Sequence, residues 1–65
     1  MWTIVYYAKN KKLAEKLRER LRESGVISKL RPAKGASGGE NDKFDVLVPA
    51  AEVEEAHDVI IEMNV

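Results

Sequence analysis

The residues of this chain best suited to hold something are cations placed around a helix start. Lys9, Lys11 and Lys12 bracket Asn10, while Arg31, Lys34 and Lys43 flank a glycine-bearing stretch. If these segments meet, the chemistry is anion capture. Ammonium and guanidinium groups would surround helix N-terminal amides, which already favour negative charge. Lysines at that end oppose the helix's own dipole, so they contribute little to the helix itself. The bland alternative is a ring of solvated charges round a loop. The candidates for a small anionic or phosphate-bearing ligand are therefore Lys9, Asn10, Lys11, Lys12, Arg31, Lys34 and Lys43.

Catalysis finds no foothold. Neither Ser28 nor Ser37 has a base and an orienting group to activate it. His57 is the single histidine, three residues after Glu54 and next to Asp58. Metal sites take three or four ligands, so His57 reads as a boundary histidine with a carboxylate neighbour. Gly35-Ala36-Ser37-Gly38-Gly39 leads into a strand, whereas phosphate loops lead into a helix, so it reads as a hairpin connection. The expectation is a non-enzymatic chain with no cofactor and no metal.

The elements that would position these residues follow from pattern. Trp2–Ala8 is β-branched and aromatic, a strand. Asn10 is a fitting N-cap. Leu13, Leu17 and Leu21 with Ala14 then make an apolar stripe as far as Ser24, and Gly25 suits the position that ends a helix. Val26–Arg31 alternates as a second strand, with Val26, Ser28 and Leu30 inward and Ile27, Lys29 and Arg31 outward; Pro32 ends it. Residues 33–43 form a loop. Phe44–Val48 is apolar on both faces and runs through Pro49 into a second helix, whose stripe is Val53, Ala56, Ile60 and Met63.

A strand apolar on both sides belongs in mid-sheet. The expected fold is α+β, a single βαββα domain over residues 1–65. Its three-stranded sheet has order 1-3-2, with both helices on one face, as in a truncated ferredoxin-like sheet. The helix-free face would expose Leu47 and Ile27, with either Ile4 and Tyr6 or Val5 and Tyr7. Ile27 and Leu47, together with Ile61 on the second helix, are the candidate dimer or partner contacts, the expected dimer forming through this helix-free face.

A domain this small buries only roughly 60% of its unfolded surface. With no cysteine to form a staple, oligomerisation is the remaining common device, and a homodimer is expected. Net charge is zero, but it is unevenly spread. Residues 1–34 hold ten basic and three acidic residues, +7, and residues 35–65 one basic and eight acidic, −7. This suggests a basic first helix beside an acidic second one. Lys12, Lys16 and Arg20 form a basic row, but Glu15, Glu19 and Glu23 run parallel to it. Nucleic-acid binding through that helix is the weaker alternative. No apolar run approaches the roughly 20 residues of a membrane span, so a cytoplasmic protein is expected.

The run Val46-Leu47-Val48-Pro49-Ala50-Ala51-Glu52-Val53-Glu54-Glu55-Ala56 resembles the closing motif of a group of small bacterial βαββα proteins described as prokaryotic signal-transducing proteins. Leu13-Ala14-Glu15-Lys16-Leu17 and Ser24-Gly25-Val26 are similar to that group's first half. The resemblance implies a PII-like or ferredoxin-like half-domain with a regulatory or ligand-sensing role. The long glycine-rich loop departs from the shorter versions.

Overall fold

The computed structural model describes residues 1–65. In chain order it has β1 (Trp2–Ala8), α1 (Lys11–Glu23), β2 (Lys29–Pro32), β3 (Phe44–Pro49), a 3-10 turn at Ala50–Glu52 and α2 (Val53–Met63). α1 starts where the Asn10 backbone is extended and its Oδ1 accepts from the Leu13 amide at 2.8 Å. It ends in a paired cap: Gly25, at φ +84°, donates to the Arg22 carbonyl, and Val26 donates to the Leu21 carbonyl at 2.8 Å. That 6→1 and 5→2 pairing needs a left-handed residue, which glycine supplies without strain. It also turns Val26 back into the core beside Leu21, both essentially fully buried.

The sheet order is β1-β3-β2, with β3 antiparallel to both neighbours. β1 and β2 are therefore parallel, as a strand–helix–strand crossover requires. Phe44 through Val48 are all buried. Phe44, Val46 and Val48 join Ala14, Leu17, Leu21, Ala56, Val59 and Ile60 in one core cluster beneath the sheet. The stripe of α2 thus includes Val59, which the spacing Val53–Ala56–Ile60–Met63 left out.

Four details differ from the pattern-based expectation. β2 is shorter and lies later: Val26 to Ser28 stand outside the ladder and Pro32 within it, opposite Phe44. A proline is tolerated there because β2 is an edge strand. β1 follows neither simple alternation. Its register slips between Ile4 and Tyr6, so Ile4 pairs with Leu47 while Tyr6 pairs with Val46 and Tyr7 with Asp45. Val5 is the extra residue of a β-bulge. Val5 and Tyr6 consequently both pack on the helix side, and Ile4 and Tyr7 both lie on the other. Third, Pro49 precedes a 3-10 turn, and α2 proper begins only at Val53. Finally, Leu47 is not left uncovered on the helix-free face: it is 3% exposed.

Candidate functional site

The end of the sheet where Ala8, Pro32 and Phe44 meet carries the start of α1 and the loop 33–43. Lys9, Asn10, Lys11, Lys12, Lys34 and Lys43 therefore gather at that end. A cleft of about 350 Å³ opens there, lined by Asn10, Lys11, Lys12, Glu15, Glu40 and Asn41. Its amides are largely engaged already. Lys11 donates to the Glu40 carbonyl at 3.0 Å, Leu13 to Asn10 Oδ1, and Ala14 to the Asn10 carbonyl. Two carboxylates, Glu15 and Glu40, share the cleft with its two lysines.

The glycine loop is filled from within. Asp42 Oδ2 accepts from the Ser37 hydroxyl at 2.6 Å, the Ser37 amide at 3.0 Å and the Gly39 amide at 3.1 Å. The Ser37 hydroxyl, then the Gly39 and Ser37 amides, hold this carboxyl below the usual aspartate range. Donors that stabilise the charged form have this effect. The anion this loop cradles is the protein's own.

Arg31 parts from the lysines. It points to the helix-free side of the sheet, where its Nη2 donates to Asp45 Oδ2 at 3.0 Å. Asp45 is the one buried charged residue, 6% exposed. On the same side, Lys29 sits on β2 and Trp2 on β1, with β3 between them. Lys29 Nζ nevertheless lies 4.5 Å from the Trp2 ring centroid. That contact can be made only over β3, so the lysine stem lies across Leu47, its partner in the ladder. Long side chains of the two edges, Lys29 and Trp2, thus meet over the middle of the sheet, where Leu47 is buried.

What remains open on this face is aromatic and cationic. Tyr7 is 73% exposed and Trp2 41%. Ile27 is also exposed, just before β2, and Ile61 is exposed on α2, away from this face. Simple alternation puts Trp2 and Tyr7 on opposite faces, and the bulge that aligns them has no signature in the residue pattern. The helices carry no mutual ion pair: α1's pairs are internal, Arg22 with Glu19 and Arg20 with Glu23. His57 is exposed, and no cluster of three potential metal ligands exists. No helix is long and apolar enough to cross a membrane.

Compared with protein-family models, curated proteins and solved structures, the chain matches none.

Proposed function

We propose that this chain is a non-catalytic, cytoplasmic regulatory module that works by protein contact through the helix-free face of its sheet. This agrees with the signal-transducing role implied by the βαββα resemblance. The observation that carries the reading is the composition of that face. Trp2 and Tyr7 stand exposed beside Lys29 and Arg31, while the sole carboxylate there, Asp45, is already paired. Tryptophan, tyrosine and arginine are the residues that dominate binding hot spots. The partner such a surface fits is an acidic protein patch bearing apolar anchors, by charge complementarity.

The cleft beside α1 supports small-anion sensing less well, because its amides and lysines already face internal acceptors and carboxylates. Nucleic-acid binding along α1 is disfavoured by the acidic row of Glu15, Glu19 and Glu23, two of which pair with its arginines.

A photo-crosslinking residue at position 7, compared with one at Lys16 on the exposed side of α1, tests the proposal in cell extract. The expected result is one dominant protein adduct from position 7 and none from position 16. Equal adduct patterns from both positions would overturn it. So would quenching of Trp2 fluorescence by a single-stranded oligonucleotide at low salt, which would reassign the face to nucleic acid.

A further inference from the structure

We infer that the outer edge of β1 pairs antiparallel with β1 of a second copy, joining two three-stranded sheets into one continuous sheet. This goes beyond the reading of the sheet face, since the edges can pair whether or not that face binds anything. β1 bonds only to β3. No turn, loop or cap hydrogen bond touches the backbone of residues 2–8; the nearest is the Met1 carbonyl, which accepts from Ala50. One row of main-chain donors and acceptors is therefore left without a protein partner, and such a row is a template for another strand.

The sheet's two edges are unlike. β2 has four residues, ends in Pro32 and carries Lys29 and Arg31. Shortness, proline and charge, like bulges, are devices that keep an edge from pairing. β1 has seven residues, no proline and no charge, and its one interruption is the bulge at Val5.

The occupant that fits is another copy of this chain. β1 is uncharged, so laying it against itself sets no like charges opposite one another, whereas β2 against itself would oppose lysine and arginine. The chain also has only 13 of 65 residues buried and no disulfide, a core that a dimer would enlarge. The bulge selects a register. Ile4 and Tyr7 lie on the open side, and Thr3, Val5, Tyr6 and Ala8 on the helix side. Setting Ile4 opposite the second copy's Tyr7 also sets Val5 opposite Tyr6 and Thr3 opposite Ala8. Every pair then lies on one side of the joined sheet.

The test uses the unmodified chain. Analytical ultracentrifugation across a concentration series should show the mass rising from one chain to two. Hydrogen exchange at both ends of that series should show outward amides of β1 slowed at least about tenfold in the dimer, with β2 unchanged. Because the chain has no cysteine, Ile4→Cys mixed with Tyr7→Cys should form an intermolecular disulfide more readily than either variant alone. A chain that stays single at millimolar concentration, or a dimer whose β1 amides exchange at the monomer rate, would overturn the inference. A single chain whose β1 edge instead takes up an unrelated peptide would overturn it too.

Discussion

Arg31 and Asp45 stand directly opposite each other in the β2–β3 ladder, and the guanidinium donates to the carboxylate at 3.0 Å. The two are unequally placed: the Asp45 side chain is 8% exposed and that of Arg31 55%. Asp45 therefore depends on its partner, while Arg31 can turn to water.

That inequality gives a directional prediction. Arg31→Ala leaves a buried carboxylate without its donor and should cost about 1–3 kcal/mol. Replacing both residues with apolar ones of similar size should cost less than Arg31→Ala alone, as happens when neither half of a buried pair is left orphaned. Urea denaturation of the single and double variants checks this.

Leu47 distinguishes a roofed sheet from a bare one. At 3% exposure, Leu47→Ala should destabilise by about 2–4 kcal/mol, the range for a filled interior site, although it faces away from both helices. Lys29→Ala should cost about 0.5–1 kcal/mol through the lost ring contact. It should also shift the emission of Trp2, the only tryptophan, to the red. Thermal melts and fluorescence spectra measure the two effects.

Gly25 and Asn64 are both left-handed residues at helix ends, at φ +84° and +58°. Nothing lies within 4 Å of a Cβ built on Gly25, so Gly25→Ala is penalised by backbone conformation alone. A loss of about 1–2 kcal/mol is expected. Asn64→Gly should be close to neutral, because asparagine tolerates this region and α2 ends at the chain's rim. Chemical denaturation of both variants decides it.

The loop 33–43 should respond to acid. Asp42 has a folded pKa below its unfolded one, so its contribution is complete above the unfolded value and is lost as pH falls through the folded value. The Ser37 and Gly39 amide resonances should therefore titrate with a midpoint below the ordinary aspartate value of about 3.9. Asp42→Asn should abolish that titration while leaving β1 and β3 unmoved. Amide NMR across the acid range is the measurement.

Much of this architecture was legible in the residue pattern, for local reasons. The leucine spacing of α1, its Asn10 cap and its Gly25 stop act within a few residues, and so they could be read. The two-sided apolarity of Phe44–Val48 placed β3 between its neighbours. The rest depends on contacts across the sheet. The β1 bulge at Val5 answers to β3's register, and the span of β2 is set by what Phe44 and Leu47 leave to pair with. Leu47 looked exposed because alternation says which way a side chain points, not what lies over it. The site was harder still. Asn10 and the lysines could be gathered at one end from topology, but the Glu40 carbonyl taking the Lys11 amide and the Asp42 carboxylate taking those of Ser37 and Gly39 could not be read, since loop residues carry no periodicity.

The short, proline-ended border of β2 has one more effect. Fibrillar stacking requires each molecule to offer two receptive flanks, one to dock with and one to be docked upon. Here one flank is sealed by cations and an imino acid, so edge-to-edge growth of the folded chain has nowhere to continue once the open flank is taken.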